Sequence, residues 1–299
     1  MKSAFVSIIG RPSAGKSTLL NKICGEKVSI VSPIPQTTRN KIRGIITRDA
    51  GQLIFIDTPG YHNSDKKFNN YLKELAGSAV EESDLILYVM DTTRAPGNEE
   101  AELLDLLKDA SGKTLVLLNK TDLHDCDVNR TVDFIDEKLP GVFKPDSLFP
   151  ISAENGKGID AVLSRLFEKA PEGDLMYPQD YYTDQQPEFR VMEIIREKAI
   201  ASSRQELPHS IYVEIADMEM KYAEDGSPKK LWVRAFLVAE RESQKGILVG
   251  RGGENIKDIR GASQRELNEI FPYRVQLDLR VKVNQKWRRN DGLLRKMLY

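Results

Sequence analysis

From residue 1 to about residue 170, short β-rich runs alternate with stretches in which apolar residues recur at helical spacing. The runs Ala4–Gly10, Ile42–Arg48, Leu53–Asp57, Leu85–Asp91, Thr114–Asn119 and Leu148–Ser152 predict strands. Between them, Phe68, Leu72, Leu75 and Ala79 share one helical face, as do Leu103, Leu106 and Leu107, and later Ile159, Val162, Leu163 and Leu166. Alternation of this kind predicts βαβ units, hence an α/β fold whose mostly parallel sheet is flanked by helices. The apolar stripes are then its core faces.

Residues 171–188, PEGDLMYPQDYYTDQQPE, break the rhythm with three prolines, five acidic residues and no Lys or Arg. That is longer than a normal loop inside a domain and predicts a linker. Beyond it come a helix (Phe189–Ser203), strands at Ile211–Met220 and Leu231–Ala239, a glycine turn, a helix (Glu254–Phe271), a strand at Val275–Val283 and a last helix from Trp287. Residues 1–170 and 189–299 are therefore expected to form two domains, the second a smaller α+β module, and 299 residues suffice for both.

With 40% apolar and 30% charged residues, the chain suits a soluble globular protein with two cores, not a disordered chain or a fibre. The longest apolar run, Leu85 to Met90, is six residues, far short of the ~20 that a membrane helix needs. Arg11 and Lys16 stand where a secretory leader would be apolar, so a cytosolic location is expected. Cys24 and Cys126 lie far apart, and His62, His124 and His209 cluster with neither, which argues against a disulfide scaffold or structural zinc. The formal charge of −1 hides an asymmetry: residues 241–299 carry 14 Lys/Arg against 7 Asp/Glu, leaving 30 against 38 in the rest. Such a basic segment suits a polyanionic partner, or is an ordinary solvated face poor in acids.

Gly10-Arg11-Pro12-Ser13-Ala14-Gly15-Lys16-Ser17 fits G-x-x-x-x-G-K-[ST] and stands between a predicted strand and a predicted helix, Thr18–Cys24. Glycines let backbone N–H groups wrap phosphate oxygens, and the helix N-terminus that opens at Thr18 adds a favourable dipole. Lys16 brings a point charge to the β- and γ-phosphates, and the Ser17 hydroxyl is a ligand for Mg²⁺. Asp57-Thr58-Pro59-Gly60 closes the third strand, so Asp57 sits at the carboxyl edge of the sheet, placed to hold Mg²⁺ through water. Gly60, lacking Cβ, lets its N–H approach a γ-phosphate. In Pro33-Ile34-Pro35-Gln36-Thr37-Thr38-Arg39, too Pro-rich for a helix, Thr38 is the preferred further metal ligand.

Asn119-Lys120-Thr121-Asp122 follows the fifth strand. A carboxylate at Asp122 accepts two hydrogen bonds from guanine N1–H and its 2-amino group, whereas adenine would leave it unpaired, so guanine is predicted over adenine. Asn119 ties neighbouring loops and reaches the base edge, Lys120 lies along the base, and Ser152-Ala153 offers an N–H to the guanine oxygen. In the C-terminal module, Gly250-Arg251-Gly252-Gly253 is a G-x-x-G turn between Ile247-Leu248-Val249 and a helix beginning at Glu254. Gly250 and Gly253 admit the backbone of a single strand, Arg251 pairs with phosphate, and Ile247, Val249 and Ile256 form a floor for bases, with Gly252 and Lys257 beside them. Lys282, Lys286, Arg288, Arg289, Arg295 and Lys296 add sequence-independent phosphate contacts or form a solvated face.

In this order, GRPSAGKS, PQTTR, DTPG, NKTD and SA resemble the translation-factor class of P-loop GTPases, and GILVGRGGENIKDI in an α-β-β-α-α-β order resembles a type II KH domain. With DTPGYH and Glu206-Leu207-Pro208-His209-Ser210, the whole chain is similar to the Era family of bacterial ribosome-assembly GTPases. That resemblance implies GTP and GDP binding with Mg²⁺, slow hydrolysis in which Lys16, Thr38 and Gly60 act on the γ-phosphate, binding of the 16S rRNA 3′ end, and a role in maturing the 30S subunit. It also admits peripheral association with anionic membrane, although the sequence offers no lipid anchor; a monomer is expected. Tyr61 stands where Ras-type GTPases carry a water-orienting Gln, and Ser13 where relatives carry an Asn that helps hold potassium. His62 is read as structural rather than as a base. An RNA chaperone with a merely structural nucleotide site, or a GTPase of tRNA modification, are the alternative functions.

Overall fold

A computed structural model describes residues 1–31, 41–58, 77, 80–202, 211–285 and 287, in two units, Met1–Asp184 and Gln185–Tyr299. The first unit grows outward from β1 (Lys2–Gly10), whose last five residues are all buried. β1 pairs in parallel with β3 (Gly51–Asp57) on one side and β4 (Leu85–Asp91) on the other. β5 (Thr114–Asn119) and β6 (Leu148–Pro150) continue the parallel set. β2 (Ile42–Arg48) closes the opposite edge, antiparallel to β3, giving the order β2-β3-β1-β4-β5-β6.

Helices cover this sheet as parallel crossovers require. α1 (Lys16–Cys24) leaves β1 through the glycine loop and stops at Gly25. α2 (Asn98–Leu107) and α3 (Val128–Lys138) bury Leu103, Leu104, Leu107 and Ile135 on Tyr88, Met90, Val116 and Leu118. Each such leucine contributes roughly 2 kcal/mol by leaving water. Leu106, expected in that stripe, is instead 37% exposed and Leu104 takes its place, because the buried arc follows positions 103, 104 and 107. In α4 (Ile159–Lys169) the expected face of Ile159, Val162, Leu163 and Leu166 is buried. The expected face of Phe68, Leu72, Leu75 and Ala79 lies outside the described residues.

The stretch expected as a linker is bonded to the first unit as far as Asp184. Ser3 N–H donates to Pro171 O and Gly173 N–H to Met1 O. The fully buried Gln52 accepts from the N–H groups of Met176 and Tyr177 and donates to Tyr177 O at 2.9 Å. Ile45 N–H donates to Tyr182 O, Thr183 Oγ1 to Arg43 O, and Arg43 pairs with Asp184 at 2.7 Å. β2 is an edge strand with outward backbone groups to satisfy, and this segment supplies partners for them.

The second unit opens with α5 (Pro187–Ala201), Pro187 sitting in the first turn where its missing N–H costs nothing. β7 (Ile211–Tyr222) and β8 (Pro228–Ala239) form an antiparallel pair with a bulge between Ile215 and Asp217, and β9 (Arg274–Val283) joins β8 in parallel. The run before the glycines coils into α6 (Glu242–Val249), and α7 (Glu254–Ile270) follows them. Leu231, Val233, Ala235 and Leu237 alternate inward with Val275, Leu277 and Leu279, while α5 and α7 contribute buried Val191, Ile195, Ile259 and Leu267. Trp287 packs its ring 5.0 Å from that of Tyr212. Among the described residues no helix is long and apolar enough to cross a membrane.

Candidate nucleotide site and nucleic-acid interface

Strand register decides what meets at the sheet's carboxyl edge. Ile8 lies beside Asp57, Gly10 beside Val89, and Asp91 beside Asn119, so the ends of β1, β3, β4 and β5 bring their following loops together. A ligand crevice outside the strand ends is the general outcome of such sheets.

Arg11, Pro12, Ser13, Ala14 and Gly15 form the loop from β1 to α1. Gly15 is left-handed at φ 97°, and a Cβ there would fall 2.3 Å from Asn119 Nδ2, so only glycine fits. Ser13 is also left-handed, at φ 61°. The buried Lys16 ammonium spans the loop, donating to Gly10 O at 3.0 Å and Arg11 O at 2.9 Å. Burial pushes its pKa down to about 8, against the pull of Asp57. Thr18 follows inside α1. Arg11 reaches the other way, its guanidinium 2.5 Å from Glu99 and 2.7 Å from Glu100 of α2.

Ser17 Oγ donates to Asp57 Oδ2 at 2.6 Å, and Ser29 Oγ donates to the same oxygen at 3.2 Å. Asp57 is fully buried, and Thr58 Oγ1 anchors its neighbour by donating to Ile8 O. A hydroxyl and a carboxylate this close form the hard-oxygen pair that suits Mg²⁺. Thr38, Pro59 and Gly60 lie outside the described residues, as do Tyr61 and His62.

Asn119 ties three loops: its Nδ2 donates to Ala14 O at 2.7 Å and its Oδ1 accepts the Ala153 N–H at 2.9 Å. That N–H was expected to face the base oxygen; it is spent here on Asn119, and the Ser152 N–H on Lys157 O at 3.0 Å. The pair therefore braces the pocket. Lys120 is left-handed at φ 70°, and its ammonium lies 2.7 Å from Asp91 Oδ2. Thr121 donates to Ile151 O through both N–H and hydroxyl, leaving Asp122 exposed at the rim. Asp91, Ser29 and the Glu99–Glu100 pair were missed by the sequence reading, whose only available signal was the position of Asp91 at a strand's carboxyl end.

In the second unit, α6 ends at Gly250, left-handed at φ 75°, where a Cβ would come 2.7 Å from Asn255 Cβ. Asn255 Nδ2 donates back to Ile247 O at 3.0 Å, drawing the turn Arg251–Gly253 onto the start of α7. Ile247 is 53% exposed, Val249 and Ile256 are half-buried, and Leu248 enters the core. Arg251, Gly252 and Lys257 are exposed and Gly253 half-buried, so the turn offers an apolar strip beside two cations. Lys282, one of the cations expected to meet phosphate, is instead paired with Glu214 at 2.7 Å and lies over the Phe236 ring. Lys286, Arg288, Arg289, Arg295 and Lys296 lie outside the described residues.

Comparison with known proteins finds a family model for each of the two units. Residues 5–120 match the model of the 50S ribosome-binding GTPase family, and residues 206–288 that of the KH domain. GTPase Era of Treponema denticola is 50% identical over 299 residues, covering all of both chains. A crystal structure of a tyrosine-to-alanine variant of Aquifex aeolicus Era bound to GDP·AlF4⁻ is 33% identical, covers 99% of this chain and 98% of its own, and has a TM-score of 0.87. A structure of Era in complex with MgGDPNP and nucleotides 1506–1542 of 16S ribosomal RNA matches with the same identity, coverage and score. The chain thus belongs to the Era family of GTP-hydrolysing P-loop enzymes, with a KH domain following the GTPase fold.

Proposed function

We propose that this GTPase is a switch whose nucleotide state governs its grip on the 3′ end of 16S ribosomal RNA, and through it the processing of that RNA and assembly of the 30S subunit. The nucleotide half rests on one observation, the convergence of Lys16, Ser17, Asp57 and Asn119 at a single sheet edge. The loop from Gly10 to Ser17 and the N-terminus of α1, with Thr18, cradle the phosphates, and Lys16 exchanges its two carbonyl partners for phosphate oxygens. Ser17 and Asp57, joined by Thr38, would hold Mg²⁺, which supplies charge neutralisation on the phosphates. Gly60, lacking Cβ, would let its N–H approach the γ-phosphate; water would displace GDP from that phosphorus, giving GDP and phosphate, and Tyr61 in place of a glutamine would keep turnover slow. Asp122 reads guanine, Lys120 lies along it, and the Ser152–Ala153 turn walls the pocket.

Ile247, Val249 and Ile256 would seat bases, Gly250, Gly252 and Gly253 admit the strand, and Arg251 and Lys257 meet its phosphates. The 16S fragment bound by the Era of similar fold supports this choice of partner. The protein acts as a cytosolic monomer in this reading, and any peripheral attachment to anionic membrane would draw on the same basic charge. The deciding experiment titrates a short single-stranded 3′-end fragment of 16S rRNA into protein loaded with GDP or a non-hydrolysable GTP analogue. Tighter binding in the triphosphate state and faster GTP turnover with RNA are expected. Equal affinities with unchanged turnover would overturn the switch.

A further inference from the structure

We propose that Asp91 is a positioning residue for the guanine nucleotide: it holds the Lys120 ammonium so that the lysine stem is fixed along the base. The inference rests on the nucleotide site proposed above. β4 ends at Asp91, directly opposite Asn119 in the register with β5. The next residue, Thr92, is fully buried and grips the opposing strand end, its N–H donating to Asn119 O at 3.1 Å and its hydroxyl to the same oxygen at 2.8 Å. With that carbonyl pinned, the chain turns through a left-handed Lys120 at φ 70°, a conformation that disfavours any residue with a Cβ. The Lys120 ammonium then meets Asp91 Oδ2 at 2.7 Å, while the Asp91 side chain is only 6% exposed.

Asp91 is itself fixed. Its Oδ1 accepts from the Thr93 N–H at 3.0 Å and the Thr93 hydroxyl at 2.7 Å, and Arg94 Nε donates to Oδ2 at 3.2 Å. Burial pushes its pKa up, but the Lys120 and Thr93 bonds outweigh that and hold it below the usual carboxylate range, so the anchor is an anion at neutral pH. A flexible four-carbon side chain clamped at its charged end loses its freedom before the ligand arrives, which favours binding by preorganisation. A methylene stem held in this way would offer the base only apolar contact, so on this proposal the contribution does not depend on which groups the base presents.

The test uses the full-length protein and compares GDP with IDP, which lacks the 2-amino group that Asp122 reads. Asp91→Asn is expected to weaken GDP and IDP alike by about tenfold, the worth of one charge-assisted hydrogen bond, and to raise KM for GTP by the same factor with kcat unchanged. Asp91→Glu should restore most of the loss. Lys120→Met keeps an apolar stem without the charge, and in that background Asp91→Asn should have no further effect. GDP affinity unchanged in Asp91→Asn would overturn the proposal. So would a GDP loss far exceeding the IDP loss, because it would mean that the reading loop had merely lost its shape. Asp122→Asn separates the two levels: a shift towards xanthosine diphosphate upholds the base site even where the Asp91 variants are silent, and no shift overturns the site itself.

Discussion

The two glycine-rich turns of this chain are built on opposite terms. The turn at 10–15 is braced from behind by buried polar side chains: Asn119, 1% exposed, donates to Ala14 O, and Lys16, 6% exposed, donates to Gly10 O and Arg11 O. The turn at 250–253 stands in solvent, drawn in by Asn255 and by the Gly253 N–H donating to Gly250 O at 3.2 Å. A compact anion needs donors fixed in three dimensions, whereas an extended strand needs an open edge with room for its backbone. The consequence is energetic. On the proposed function, the groups that would meet ligand at the first turn are the ones that already hold its fold, and at the second turn they are largely separate.

Asn119→Ala should break that distinction most severely. It orphans Ala14 O and the Ala153 N–H, both bonded to buried Asn119. Losing two buried hydrogen bonds costs about 2–4 kcal/mol of stability, read as a lower urea midpoint. GDP affinity should fall by about a hundredfold or more, since the phosphate loop and base loop lose their common tie. A stability loss under about 1 kcal/mol would show that the loops are held by something other than this side chain.

How much of this was legible beforehand follows the same division. The glycine loop, Asp57 and the Asn119–Asp122 run were readable because each is local: residue types at fixed spacing after a strand. Asp91 was not, because its partner Lys120 lies 29 positions away and only the β4–β5 register joins them. The segment 171–184 read as a linker since prolines and acids without cations suggest solvent, yet its partners are an edge strand and the side chain of Gln52, 125 positions from Tyr177. Helix α6 was legible only through the α-β-β-α-α-β order of the family resemblance, because Gly246 and the apolar run Ile247–Val249 suit a turn and a strand as well as a short helix.

Gly250→Ala tests the second turn on its one structural demand. An L-residue at φ 75° is strained, and its Cβ would meet Asn255 Cβ at 2.7 Å, so the second unit should lose about 1–3 kcal/mol. RNA affinity should fall with it while GDP affinity stays as in the wild type. A matching loss of GDP affinity would mean that the two turns are not energetically separate.

Arg251→Asp should sharpen the contrast, because the exposed Arg251 offers a ligand contact without a fold contact. Stability is expected to change by no more than about 0.5 kcal/mol. RNA affinity should drop by about tenfold, and the slope of log affinity against log salt should shrink by about 0.7, one phosphate's share for a single strand. An unchanged salt slope would remove Arg251 from the RNA surface.

The smallest effect is expected at Lys282, where the sequence suggested a phosphate contact and the structure offers an intramolecular one. Its ammonium lies 2.7 Å from Glu214 Oε1 and 4.6 Å from the Phe236 ring centre, with the lysine side chain 36% exposed. A pair at that exposure contributes only about 0.5 kcal/mol after screening. Lys282→Ala should therefore lower stability slightly, and both RNA affinity and the salt slope should match the wild type, because this charge is already partnered within the sheet. A slope reduced by about 0.7 would mean that Lys282 leaves Glu214 for phosphate. The RNA surface would then extend from the glycine turn across β7 to β9, and the second unit would share bonds between fold and ligand as the first does.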